Sequence, residues 1–282
     1  MSNLANAMIH LRSSYPTLRP AERRVADEIL DDPKRAVHLS ITELAKRAEV
    51  SDATVVKFCK RLGYKGFQEF KILLAQDVAT KPILTDGEIE LGNDVKTIKE
   101  KIFQASINAL QDTARVLDSD ALEVAVQAIA KAKEIHFYGL GASGIVAQYA
   151  ERKFSRIGLR VGAFVDTHMQ IARAVHLQPG DVAISLSFSG ETKEIVEANR
   201  AAKVAGALSI AITSYSRSTL AQEADLLLLI SAHENVCRGA SLSCHLTQLS
   251  TIDTLFTAVA LADHSRTAQA IERTKDILSQ RH

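Results

Sequence analysis

The chain has no tryptophan, three cysteines and five prolines in 282 residues. Cys59, Cys237 and Cys244 are too few and too scattered for a disulfide framework, which excludes a small secreted domain held by staples. Long hydrophobic runs are also missing. A run such as Leu226 to Ile230 is strand-sized, far below the ~20 residues of a membrane span. The opening MSNLANAMIHLRSSY has no basic segment followed by a long apolar core, so no secretory signal is expected there. Charge of one sign is lacking too, since 34 Lys and Arg face 33 Asp and Glu. What is present is an ordinary globular composition, 46% hydrophobic and 24% charged, which argues against a disordered chain. The length predicts two domains, and the cysteine usage predicts a reducing cytoplasm.

The near-neutral charge is unevenly placed. Residues 1–80 hold thirteen bases against ten acids, and Lys46 to Lys71 hold seven against three. A solvated helix face reads this way, and so does a small nucleic-acid-binding domain. The first 80 residues carry helical patterns only. Val25, Ile29 and Leu30 form a stripe after Pro20, and Pro33 stops or re-aims that helix. Ser40-Ile-Thr-Glu43 is a capping box that predicts a helix from Ile41. Ser51 can cap the next helix, and Gly63 can end it. Residues 81–93 contain Pro and two Gly without helical periodicity and read as a linker. From Val95 the pattern changes. Two helical stretches precede strand 135–138, and helices then alternate with strands at 159–165, 181–187, 208–213 and 225–230, before a helical end near 245–280. Such alternation predicts a parallel sheet with helices on both faces. The expected organisation is a helical domain over 1–80, a linker over 81–93 and an α/β domain over 94–282, three-layered and flavodoxin-like or Rossmann-like.

Residues 41–60 fit helix-turn-helix spacing, with Leu44, Ala48, Val50, Val55 and Phe58 at the apolar positions. Ala45 falls where two helices cross too closely for a larger side chain. Glu49 occupies the turn position that usually holds Gly, which implies strain if φ is positive there. On the second helix, Val55, Phe58 and Leu62 must face the core. Ala53, Thr54, Lys57, Lys60 and Arg61 then point outward as candidate DNA contacts, with Ser51 at the helix N-terminus suited to a phosphate. The alternative is a plain helical hairpin with a solvated basic face.

The second half holds two loops of interest. Gly139-Leu-Gly141-Ala-Ser-Gly144 follows a strand, opens a helix and matches G-x-G-x-x-G, with Asp166 22 residues beyond as a possible ribose acid. Alone it would suggest a dinucleotide. Ser187-Phe-Ser189-Gly190-Glu191-Thr192 opens the next such helix and offers hydroxyls instead. Two hydroxyl-rich loops at the carboxyl ends of parallel strands fit a single phosphate on a polyhydroxylated ligand better than a pyrophosphate. No cofactor is expected. No metal site is expected either, because Cys237, Cys244 and His245 lack ligand spacing.

These motifs carry a resemblance. Phe-Tyr-Gly-Leu-Gly-Ala-Ser143, Ser187-x-Ser-Gly-x-Thr192 and Gln248-Leu-Ser-Thr-Ile-Asp253 together resemble the sugar isomerase (SIS) domain. Preceded by Ser51-Asp-Ala-Thr-Val-Val-Lys-Phe-Cys-Lys-Arg-Leu-Gly63-Tyr-Lys-Gly-Phe67, the chain resembles RpiR-type bacterial transcriptional regulators. The resemblance implies a DNA-binding domain and a phosphosugar sensor that forms homodimers or homotetramers on a palindromic double-stranded operator. It implies Ser143, Ser187, Ser189 and Thr192 as effector-phosphate residues, with Gly141 and Gly190 in the same loops. It also implies a regulator of carbohydrate metabolism that answers to a sugar phosphate or phosphorylated sugar acid, with repression relieved by the ligand as the preferred sign, although the family also contains activators. The linker and helix 94–117 would couple the domains. The alternative is an aldose–ketose isomerase with Glu234 as base and His233 and His245 nearby. A phosphosugar loop should not hold a dinucleotide, so calorimetry is expected to detect no NAD or NADP binding. Micromolar affinity for either would restore the dinucleotide reading and make Asp166 its ribose ligand.

Overall fold

The computed structural model describes residues 7–80, 92–231 and 242–279. The chain divides into two compact units, residues 1–101 and 102–282. Most of the expected linker, 81–91, lies outside the described residues, and the division falls further along, inside a long helix.

The first unit is helical. α1 (Ala7–Ser14) and a short 3-10 turn (Tyr15–Thr17) precede α2 (Pro20–Asp31), α3 (Pro33–Ala36), α4 (Ile41–Arg47), α5 (Asp52–Arg61) and α6 (Phe67–Thr80). Pro33 re-aims the chain, because it starts α3 directly after Asp32, whose carboxylate accepts the Arg35 N–H. α4 begins at the expected capping box, with Glu43 N donating to Ser40 Oγ and Ser40 N donating to Glu43 Oε2. Val25, Ile29, Leu44, Val55, Phe58, Phe70 and Leu74 form one core. α1 was not anticipated; its few apolar residues make a weak periodic signal.

The second unit begins within α7 (Val95–Val116) and continues with α8 (Ser119–Lys131). Then come β1 (Ile135–Gly139), α9 (Gly141–Ser155), β2 (Val161–Phe164), α10 (Thr167–Ala174), β3 (Val182–Leu186), α11 (Lys193–Val204), β4 (Leu208–Thr213), α12 (Thr219–Glu223) and β5 (Leu226–Leu229). α13 (Leu242–Ala262) and α14 (His264–Ser279) split the expected single helical end. All five strands are parallel, in the order β2-β1-β3-β4-β5. One sheet face buries Phe137, Ile184, Ile210 and Ile212 against α8, α9 and α13. The other buries Tyr138, Ala183 and Ala211 against α10, α11 and α12. The expected three-layer class therefore holds, and β1 and β3 flank the point where strand order reverses.

The second face includes a buried histidine. His136, on β1, is 2% exposed. Its Nδ1 lies 3.0 Å from the Tyr138 hydroxyl and its Nε2 2.7 Å from Glu134 Oε1, which also accepts from Arg173. Burial pushes the imidazole below its ordinary pKa, against the pull of Glu134. The His136 bond, helped by Arg173, holds the Glu134 carboxyl below its own usual range. The unfolded chain thus binds the imidazole proton more readily, so stability is full above about 6.5 and is lost as pH falls below it. Melting temperature is expected to drop as pH falls from neutral through about 6.5, and His136→Gln should remove that part of the slope. An unchanged slope in the variant would assign it to other groups.

Candidate functional site

In the first unit α4 and α5 are joined by a tight turn. Glu49 takes φ 51°, the positive value expected of the position that usually holds Gly. The strain is partly offset from α2. Arg24 Nε donates to Ala48 O at 3.1 Å, and Arg24 Nη2 donates to Glu49 O at 3.2 Å. These are carbonyls that the end of α4 and its turn leave open. Ala45 is buried at the crossing, and Thr42 Oγ1 donates to Asp52 Oδ2, tying the first helix to the start of the second. Nothing in the spacing of residues 41–60 points to Arg24, which lies two helices earlier, on α2.

The face of α5 is close to that expected. Val55, Phe58 and Leu62 are buried, while Ser51, Ala53, Lys57 and Lys60 are exposed and Thr54 is half-buried. The side chains of Lys57 and Lys60 bond to no other described residue. Two expectations change. Arg61 does not point outward: its Nη2 donates to Thr17 O at 2.6 Å, and its Nη1 lies 3.3 Å from Glu22 Oε2. Position 61 stands three residues after Phe58, at the edge of the buried face, so a long side chain reaches inward to the N-terminal turn. The N-terminus of α5 is also partly spent, because Ser51 Oγ accepts the Thr54 N–H and lies 3.0 Å from Thr54 Oγ1.

In the second unit the two loops leave from paired residues. Gly139, the end of β1, is in register with Leu186, the end of β3. Neighbouring strands lie ~4.8 Å apart, so the loops to α9 and α11 start side by side at the switch point where open α/β sheets bind ligands. The two helices also share a property. Leu140 and Thr192, at their N-caps, make no side-chain cap bond. The neighbouring α8, α10 and α12 are all capped, by Asp118, Asp166 and Ser218. The first-turn N–H groups of α9 and α11 therefore remain for a ligand, and the helix dipole favours an anion there. Asp166 accepts the Met169 N–H at 2.9 Å and serves as a cap, a role that accounts for it without a ribose.

The second loop is built from its own hydroxyls. Ser187 Oγ accepts the Gly190 N–H at 3.0 Å and lies 3.0 Å from Thr192 Oγ1. Ser189 Oγ accepts the Glu191 N–H. One hydrogen joins the Ser187–Thr192 pair, which leaves the other free to donate outward. Gly190 has φ 64°, and a Cβ there would collide with Ser218 Oγ. The loop is fastened to α12: Gly190 O accepts the Leu220 N–H, and Glu191 accepts from Thr219 N at 2.8 Å and Thr219 Oγ1 at 2.7 Å. Neither α12 nor this use of Glu191 was anticipated; a five-residue helix leaves almost no periodicity. Ser143 is half-buried in the first turn of α9. Gly141, Ser143, Ser187, Ser189, Gly190 and Thr192 are thus carried by adjacent loops, whereas Glu234 and His233 lie outside the described residues. Among the described residues no three His, Cys, Asp or Glu side chains group to hold a metal, and no helix is long and apolar enough to cross a membrane.

Comparison with known proteins places both units. Residues 5–81 match the model of the helix-turn-helix domain of the rpiR family, and residues 128–258 match that of the SIS domain. An uncharacterized HTH-type transcriptional regulator of Caldanaerobacter subterraneus is 39% identical over 99% of this chain and 99% of its own. The chain belongs to the RpiR family of transcriptional regulators. The HTH-type transcriptional regulator HexR of Pseudomonas aeruginosa is 34% identical over 92% of this regulator and 90% of its own length. Among solved structures, Vibrio vulnificus NanR complexed with ManNAc-6P superposes with a TM-score of 0.62 at 27% identity, covering 98% of this chain and 99% of that one.

The regulator's basic side chains on α5 separate into two kinds. Lys57→Ala and Lys60→Ala are expected to weaken operator binding with no loss of thermal stability, and to lower the salt slope by ~1 for each phosphate contact removed. Arg61→Ala should instead lower the melting temperature. Full operator affinity in the Lys57/Lys60 double variant would sink the assignment of α5 as the recognition helix.

Proposed function

We propose that this transcriptional regulator is a cytoplasmic repressor of carbohydrate metabolism genes, released from a palindromic operator when its SIS domain binds a phosphorylated sugar or sugar acid. The observation that carries the reading is the pair of uncapped helix N-termini, α9 and α11, with hydroxyl-bearing loops leaving from registered strand ends. N–H groups, serine and threonine hydroxyls and two dipole ends make a donor-rich cradle, which suits a phosphate monoester. The ManNAc-6P bound to NanR supports the same ligand class. In this reading the DNA face is α5, with Lys57 and Lys60 as its free cations, and two copies of the chain read the two half-sites. α7 is the coupling element. Its Thr113 exchanges hydrogen bonds with the backbone of Ser231, just beyond β5, so its C-terminal end is bolted to the ligand edge of the sheet.

The reading is binding without turnover. Aldose–ketose isomerisation needs a positioned base. Glu234, the base of the isomerase alternative, lies outside the described residues, and what favours binding is the attached helix-turn-helix domain.

Operator affinity titrated with a panel of sugar phosphates tests the switch. Ser143→Ala is expected to cost ~1.5–3 kcal/mol of effector affinity, roughly ten- to a hundredfold, with operator binding unchanged in the absence of effector. Ser187→Ala should cost at least as much, because it also removes the acceptor of the Gly190 N–H. A wild-type response in both variants would make the loops structural turns and place the sensor elsewhere.

A further inference from the structure

A fully buried glutamine borders the site without a part in the reading so far. Gln248, on α13, donates from Nε2 to Ser143 Oγ at 3.1 Å. Its Oε1 is buried and has no hydrogen-bond partner among the described residues. The neighbouring hydroxyls offer it nothing, since Thr247 donates to Cys244 O and Thr251 to Thr247 O within α13 itself. The same helix packs Leu249, Ile252 and Leu255 into the core. A buried amide with one bond made and one acceptor unmet carries a desolvation cost that an apolar side chain of equal length would avoid. Stability therefore does not account for a glutamine at this position. Its one bonded partner among the described residues is a hydroxyl of the anion cradle.

With the amide oriented so that Nε2 meets Ser143 Oγ, the bond gives the hydroxyl a polarity. A serine hydroxyl has one hydrogen and two lone pairs. With the Gln248 N–H on a lone pair, the Ser143 hydrogen stays available at the first turn of α9, where an anion would sit. We infer that Gln248 is a positioning residue for the effector: its amide holds Ser143 as a donor toward the bound phosphate. The inference rests on the phosphate reading of the site, and the test separates the two.

The full-length protein would be titrated with inorganic phosphate, followed by phosphorus NMR, and its melting temperature measured. The variants are Gln248→Met, Gln248→Glu, Ser143→Ala, Ser187→Ala and the Gln248→Met/Ser143→Ala double variant. Gln248→Met is expected to bind phosphate about tenfold more weakly while melting no lower than wild type. The double variant should bind no more weakly than Ser143→Ala, because the glutamine acts through that hydroxyl. Gln248→Glu should be weaker still, since a carboxylate takes the Ser143 hydrogen for itself and repels the anion. Wild-type affinity in Gln248→Met beside a weakened Ser143→Ala overturns this inference alone. So does a loss that adds fully to that of Ser143→Ala, or one accompanied by a lower melting temperature, which would make the glutamine a structural support. Equal phosphate binding by wild type and Ser143→Ala overturns this inference, and if Ser187→Ala also binds like wild type the phosphate reading falls with it.

Discussion

The candidate site depends on one close approach. A Cβ placed on Gly139 would lie 2.5 Å from the carbonyl oxygen of Ser143, so no other residue can end β1 while α9 starts where it does. The approach brings the first turn of α9 directly over the end of the strand. Because Gly139 is in register with Leu186, it also brings that turn beside the Ser187–Thr192 loop. Place a side chain at Gly139 and the helix must shift, carrying Ser143 away from its neighbours. The donor cradle is therefore a consequence of backbone packing first and of hydroxyl chemistry second.

The helix-turn-helix shows the opposite economy. Glu49 takes a conformation that a side chain disfavours, and the strain is answered from another element, by Arg24 on the carbonyls of Ala48 and Glu49. Non-Gly residues cost ~1–2 kcal/mol in the left-handed region. Two charge-assisted hydrogen bonds to otherwise open carbonyls are of the same order. The turn is thus supported by the domain as a whole. Arg61, Glu22 and Thr17 extend that support by joining the end of α5 to the N-terminal turn. The cations on and around α5 divide accordingly: Arg24 and Arg61 hold the domain together, and the side chains of Lys57 and Lys60 remain available.

Much of this was legible because periodicity and turn chemistry agree locally. The five strands, the capping box at Ser40, the positive φ at Glu49 and the two glycine- and serine-bearing loops that open α9 and α11 all follow from short-range pattern. What was illegible is long-range or too short to have a period. Outward placement of Arg61 followed from a helical wheel, and a wheel does not show an acceptor 44 residues earlier. α12 has five residues, too few for any stripe, yet it receives Glu191 and Gly190. The partner of Gln248 lies 105 residues away. The break between α13 and α14 falls at Asp263, where no proline or glycine marks it; Asp263 instead accepts the Arg266 N–H.

Charge decides how such a regulator can be switched. The chain carries a net charge of only +1, and residues 1–80, with thirteen bases against ten acids, carry a modest excess of +3. In the proposed dimer each copy offers Lys57 and Lys60 from one recognition helix. In that proposal the two helices acting together bind more tightly than either alone, because the second contact becomes intramolecular after the first. That gain exists only while the spacing of the two helices matches one helical turn of DNA or a multiple of it. A ligand then has no need to unfold or block the DNA face. It needs only to bind more tightly to an arrangement in which the spacing is wrong, and its leverage equals that difference in affinity.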